Sequence, residues 1–156
     1  MTNYTDVISL EQAKLYLKVD ASQTETDDEI TSMINSSLSF IEKRTNHIFK
    51  TKTKVYYKDC NLIESATVYD YPINNPEGEG FIANIVYKTN KAIVPTVDGF
   101  VTLNIGYSSV DDIPNELIDA ALQCIKVWFY ESEMQVNTTL LPLSVLEAID
   151  VNRRFV

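Results

Sequence analysis

The chain has 156 residues, a hydrophobic content of 45% and a formal charge of −9 at neutral pH. This length fits one domain that buries about 70% of its unfolded surface, and the apolar content excludes a wholly disordered chain. Acidic residues outnumber basic ones by 22 to 13. We therefore expect no tight binding to duplex DNA, which requires a surface that neutralises phosphates.

The charges and apolar runs of the sequence do not predict a targeting signal. Residues 1–10 carry no basic residue, so we expect no signal peptide. The apolar runs are shorter than a spanning helix requires, so we expect no membrane anchor.

Cysteine and histidine are scarce, with two cysteines, Cys60 and Cys124, and one histidine, His47. A zinc site built from these residue types within one chain is therefore excluded. We interpret Cys124 as a small buried hydrophobic residue and expect a reducing compartment. His47 has no nucleophile motif beside it, and an ordinary surface or capping role near a helix end is expected.

A pair of helices is predicted at the N-terminus, each beginning with a capping box. Ser9 with Gln12 starts a short amphipathic helix that ends near Val19. Its apolar stripe is formed by Leu10, Ala13, Tyr16 and Leu17. Thr26 with Glu29 starts a second helix.

The second helix is predicted to run to Arg44 or Thr45, where Asn46 ends it. The acidic residues Asp27 to Glu29 complement the positive end of its dipole and lack the ligand spacing of an EF-hand. This acidic cluster is therefore interpreted as part of the helix start and not as a cation site.

The period of the pattern changes to two at Thr51, which indicates strands. We predict a small antiparallel sheet of three to five strands between residues 51 and 105. Prolines, glycines and asparagines are concentrated between Tyr71 and Gly80, so this segment is predicted to be an exposed loop.

A long helix is predicted to begin at Pro114 and to end between Gln135 and Thr139. Its apolar residues cover more than one stripe, so it is buried on two sides or lies at a subunit contact. Three successive aromatic residues near its end are predicted to be core or interface anchors: Trp128, Phe129 and Tyr130. Trp128 is expected where this helix meets the N-terminal pair.

The segment 141–156 is predicted to be an interaction tail that contacts a partner or a neighbouring subunit. After an acidic helix the chain ends in Arg153 and Arg154 beside Phe155, and interfaces are enriched in arginine and aromatic residues. The predicted interface residues are Leu141, Pro142, Arg153, Arg154 and Phe155.

No motif for catalysis is present in the sequence. Glu131 and Glu133 lie two positions apart on a helix and point to different faces, so they do not form an acid/base pair. The four glycines fall in or beside the strand region, and none forms a phosphate-binding loop. We predict a protein that is not an enzyme, with no catalytic residues, no cofactor and no metal.

Two stretches together resemble the phage head–tail connector family, also called adaptor or head-completion proteins. Residues 8–46 resemble the family's N-terminal helix pair, with an acidic gap before the second helix. Residues 101–131 resemble its strand, Gly-Tyr turn at Gly106 and Tyr107, and long helix. Leu141-Pro142 and residues 153–155 complete the resemblance.

The resemblance implies an α+β fold in which a small antiparallel sheet is inserted between the N-terminal helix pair and a long C-terminal helix. It implies one connector domain, 1–156, with 51–105 as a β-rich insertion. Its implied role is a virion neck protein, assembled in the host cytoplasm. Copies would form a ring, commonly a dodecamer, between the portal protein and the tail or stopper protein, and DNA would pass through the lumen.

Two other functions stay open at this level. The chain could be another structural neck or tail component, such as a stopper or tail-completion protein. It could also be a small acidic regulator that binds a host protein. Association into a ring and binding to a portal protein distinguish these alternatives, since a regulator is expected to do neither.

Overall fold

The computed structural model describes residues 3–58, 65–68, 70–77, 84–86, 91–95, 99–134 and 141–153. These residues form four α-helices and six β-strands. In chain order they are α1 (Leu10–Leu17), α2 (Asp27–Thr45), β1 (Lys52–Lys58), β2 (Ser65–Val68), β3 (Ile73–Glu77), β4 (Asn84–Val86), β5 (Lys91–Pro95), β6 (Gly99–Ile105), α3 (Asn115–Met134) and α4 (Leu143–Asn152). The predicted α+β class, with antiparallel strands inserted between a helix pair and a long helix, is confirmed.

The helices form one compact unit, which comprises Met1–Thr45 and Val110–Arg153. The long helix α3 packs against α1, α2 and α4, so it is central to this unit, and α2 packs against the other three. Most residues of the apolar stripes predicted from the 3.6-residue period are buried. Their fully buried members include Leu17, Ile30, Ile34, Leu38, Ile41, Leu117, Ala121 and Ile125.

The two predicted capping boxes have different outcomes. The Ser9 hydroxyl accepts a hydrogen bond from the Gln12 amide at 3.1 Å and caps α1, as predicted. At α2 the Thr26 carbonyl accepts from the Ile30 amide at 2.9 Å, but the buried Thr26 hydroxyl has no hydrogen-bond partner. The side-chain cap predicted there was wrong, and the acidic residues of the first turn remain to complement the dipole.

The ends of the long elements agree with the sequence pattern. The helix α2 ends at Thr45, and Asn46 follows with a positive φ of 60°, as expected for a helix-ending residue. The helix α3 ends at Met134, just before the stretch from Gln135 to Thr139 where its end was predicted. Of the helices that the structure describes, none combines the length and the hydropathy needed to cross a bilayer.

The strands belong to a second compact unit, which contains Asn46–Ser109. The described strands form two antiparallel three-stranded sheets, with the orders β1-β6-β3 and β2-β5-β4. The prediction of a single sheet of three to five strands was therefore wrong. Except for β4 and β5, which pair with each other, strands that follow one another in sequence belong to different sheets. Pairing between distant strands is not visible in a period-two pattern.

The predicted loop between Tyr71 and Gly80 contains the strand β3 (Ile73–Glu77), which pairs with β6. Proline suggested a loop because it cannot donate a ladder hydrogen bond. The strand β3 lies at the edge of its sheet, where Pro76 is tolerated because one side of the strand needs no partner. The loop prediction was therefore wrong for these five residues.

Candidate assembly surfaces

The three aromatic residues predicted as anchors point in different directions from α3, because successive helical residues are rotated by about 100°. Phe129 is buried in the helical core. The Tyr130 hydroxyl donates a hydrogen bond to the Leu17 carbonyl at 3.0 Å and fixes the end of α1. Trp128 is half-buried and meets the ring of Phe40 on α2 edge-on, with centroids 6.4 Å apart.

Trp128 belongs to a cluster that combines aromatic rings with positive charge. The guanidinium carbon of Arg44 lies 5.2 Å from the centroid of the Phe40 ring. Phe40 is half-buried, whereas Lys43 and Arg44, in the last turn of α2, are exposed. We call Phe40, Lys43, Arg44 and Trp128 the basic aromatic patch. Aromatic and arginine side chains of this kind are enriched among the residues that dominate protein interfaces.

Those predicted C-terminal interaction residues that the structure describes lie at the two ends of α4. Leu141 and Pro142 precede the helix and are half-buried, and the Pro142 carbonyl accepts a hydrogen bond from the Val145 amide at 3.0 Å. Arg153 follows the helix and is exposed. Arg154 and Phe155 lie outside the described residues. The structure therefore brings Leu141 and Pro142 together, at the opposite end of α4 from Arg153.

The helix α4 buries one side only. Val145 and Ile149 are in the core, whereas Leu143, Leu146 and Val151 expose 69%, 44% and 84% of their surface. The exposed carboxylates of Glu147 and Asp150 lie between these apolar residues. We call Leu143, Leu146, Glu147, Asp150 and Val151 the outer face of α4. The sequence indicated a short apolar segment here but could not show which side faces the core.

A buried lysine is a feature that the sequence interpretation missed. Lys14 is only 4% exposed, and its ammonium donates to the Gln23 carbonyl at 2.7 Å and pairs with the carboxylate of Asp27. The sequence did contain a sign of this burial, because Lys14 lies four residues after Leu10 and three before Leu17 and so shares their face of the helix.

Tyr16, which was predicted to belong to the apolar stripe of α1, is instead 38% exposed. The Lys126 ammonium lies 6.0 Å from the centroid of its ring.

His47 is not a surface or capping residue, because it is only 2% exposed. Its Nδ1 lies 2.6 Å from the Tyr107 hydroxyl, and its ring meets Tyr71 edge-on at 5.2 Å between centroids. The surface interpretation was wrong because the partners are far away in sequence, at 24 and 60 residues. The imidazole ring of His47 is therefore part of the packing inside the strand-containing unit.

Chemically reactive groups are not assembled in the part of the chain that the structure describes. Burial raises the pKa of the Cys124 thiol to about 11, so the nucleophilic thiolate is disfavoured at neutral pH. The prediction that Cys124 is a small buried hydrophobic residue is confirmed. Among the described residues, no cluster of three or more histidine, cysteine or acidic side chains is placed to hold a metal ion.

Comparisons with known proteins give structural neighbours but no relative by sequence. No protein-family model matches the chain, and no curated protein matches it. A chain from the neck of an empty gene transfer agent (GTA) particle, computed with C6 symmetry, superposes with a TM-score of 0.73 at 15% identity. The match covers 99% of this chain and 93% of that chain.

Two further structures agree with this likeness, and each covers 99% of this chain and 93% of the matched chain. One is the virion of a native GTA particle, with a TM-score of 0.71 at 12% identity. The other is the neck of a native GTA particle computed with C12 symmetry, with a TM-score of 0.68 at 13% identity. At these identities the likeness establishes a shared fold, and this fold is found in chains of GTA particles and their necks.

Proposed function

We propose that this chain is a structural protein of a tailed-phage neck, of the head–tail connector (adaptor) type. Twelve copies would form a ring between the portal protein and the tail or stopper protein. The observation that carries the proposal is the match over 99% of the chain to a chain from a GTA particle neck. The TM-score of 0.73 over that length supports the resemblance found in the sequence.

The charge of the chain suits a channel through which DNA passes. A lumen with a net negative charge repels phosphates and does not trap the moving duplex. The chain carries a formal charge of −9, and residues 106–156 hold eight acidic against three basic residues. We therefore propose a protein that guides DNA without binding it, and a structural role of this kind requires no cofactor and no reaction.

We further propose that the segment 141–156 contacts the portal protein or a neighbouring subunit. Deleting residues 150–156 removes the exposed Asp150, Val151 and Arg153 but keeps Val145 and Ile149 in the core. The truncated monomer is expected to remain folded, as judged by its circular dichroism spectrum, and to be lost from assembled necks. Incorporation at the level of the full chain, measured by mass spectrometry of purified particles, would contradict this assignment.

The isolated protein is expected to be monomeric or weakly associated and to form its ring on the portal. Subunits with a charge of −9 repel one another, and this repulsion falls as salt screens it. A portal template overcomes the repulsion by raising the local concentration of neighbours. Sedimentation velocity should show association that strengthens with ionic strength. Complete rings at low salt without portal would refute templated assembly but not the ring.

Native mass spectrometry of the chain with its purified portal protein tests the function as a whole. A complex with several copies of the chain on each portal ring is expected. A stopper or tail-completion protein would bind only after an adaptor ring is present. A regulator of a host protein would bind neither portal nor itself, and that result would overturn the proposal.

A further inference from the structure

We propose that the basic aromatic patch of one subunit binds the outer face of α4 of the next subunit, and that this contact closes the ring. The inference rests on the proposed function, because it assigns the lateral surfaces of the proposed ring. The two surfaces lie on different helices of the same chain and differ in composition. Such a contact is heterologous, and repetition of one heterologous contact generates a closed ring when the rotation between subunits closes.

The outer face of α4 has the composition of a surface that another protein covers. Leu143, Leu146 and Val151 expose 69%, 44% and 84% of their surface on a helix of ten residues. Large apolar side chains that are exposed together on one helix face, with charged side chains among them, are suited to a protein partner. The carboxylates of Glu147 and Asp150 are exposed on the same face, so the partner surface must combine apolar area with positive charge.

The basic aromatic patch supplies that combination. Phe40 and Trp128 are half-buried and keep part of each ring accessible, while Lys43 and Arg44 are exposed beside them. The edge-on contact of the two rings and the guanidinium above Phe40 hold the side chains in place. Preorganised aromatic and arginine groups lose little freedom on binding, which favours affinity.

A second copy of the chain is the occupant that charge complementarity favours. The chain has 13 basic residues against 22 acidic ones, and two of the basic residues, Lys43 and Arg44, belong to this patch. Opposite potentials also fix the orientation, because two α4 faces or two basic aromatic patches would repel each other. Copies therefore associate head to tail and not as a symmetric dimer.

Reversal of charge on each surface tests the contact. One variant carries Lys43→Glu and Arg44→Glu, and the other carries Glu147→Lys and Asp150→Lys. Each variant alone is expected to associate about tenfold to a hundredfold more weakly, since like charges then face each other. An equimolar mixture should restore association, because the two variants alternate around a ring with an even number of subunits. The variant Lys18→Glu/Lys126→Glu is the matched control, because it reverses two exposed lysines outside both surfaces.

Association is measured by native mass spectrometry on the purified portal protein and by sedimentation at high protein concentration. Restoration by the mixture, with the control variant close to wild type, supports the contact. If wild type forms rings and the mixture does not, the contact is wrong while the proposed function stands. In that case an α4 variant that also fails to bind portal would assign the outer face to the portal. If wild type binds no portal and forms no ring, the proposed function itself fails.

Discussion

Replacing Lys14 by methionine is expected to lower the free energy of unfolding by about 2–4 kcal/mol. Methionine keeps the length and the apolar stem of the side chain but removes the ammonium. The Lys14 ammonium donates to the carbonyls of Ala21 and Gln23 and pairs with Asp27, so all three acceptors lose this partner. The Asp27 Oδ1 atom is buried, and an uncompensated buried carboxylate oxygen is costly.

Urea unfolding followed by circular dichroism measures this effect. Lys126→Met is the matched control, because Lys126 is exposed and the same change there should stay within about 0.5 kcal/mol of wild type. Adding Asp27→Asn to Lys14→Met should recover part of the loss, since the double variant leaves no buried charge without a partner. Wild-type stability of Lys14→Met would show that the buried ammonium contributes nothing net.

Local patterns in the sequence were sufficient to predict the helical half of the fold. The apolar stripe of α2, the cap at Ser9 and the ending at Asn46 each depend on residues within a few positions of one another. Such short-range signals determine where a helix lies and which side is apolar. They also gave the class of the fold, because the change to a period of two at Thr51 separated strands from helices.

Features that depend on distant residues could not be predicted in this way. The buried state of His47 depends on Tyr107, which is 60 residues away, and the division of the strands into two sheets depends on long-range pairing. Lys14 is stabilised by backbone carbonyls of the segment between α1 and α2, whose conformation has no periodic signal. The candidate site was predictable in part. The composition of the C-terminal segment indicated an interaction surface, whereas the basic aromatic patch could be recognised only once the structure had placed α2 beside α3.

Replacing Gly106 by alanine is expected to destabilise the strand-containing unit by roughly 3 kcal/mol or more. Gly106 has a φ of +110°, a conformation that residues with a side chain rarely adopt. A Cβ atom there would lie 2.6 Å from the Lys50 carbonyl oxygen and 2.9 Å from the Thr51 Cα, and both neighbours are backbone atoms. The amide of Gly106 also donates to the Pro72 carbonyl at 2.8 Å, so the backbone cannot shift freely to make room.

The position of Gly106 extends the effect beyond one residue. The next amide, that of Tyr107, donates to the Ile48 carbonyl at 3.0 Å, and the Tyr107 hydroxyl contacts His47. Displacing the backbone at Gly106 therefore disturbs the aromatic contact around His47 and the end of β6 together.

The midpoint of thermal unfolding of Gly106→Ala should fall by roughly 6–12 °C, on the scale of about 2–4 °C per kcal/mol for a chain of this size. Ser108→Ala, at an exposed position two residues on, is the control and should unfold with wild type. An unchanged midpoint for Gly106→Ala would mean that the backbone at Gly106, Lys50 and Thr51 relaxes at little cost.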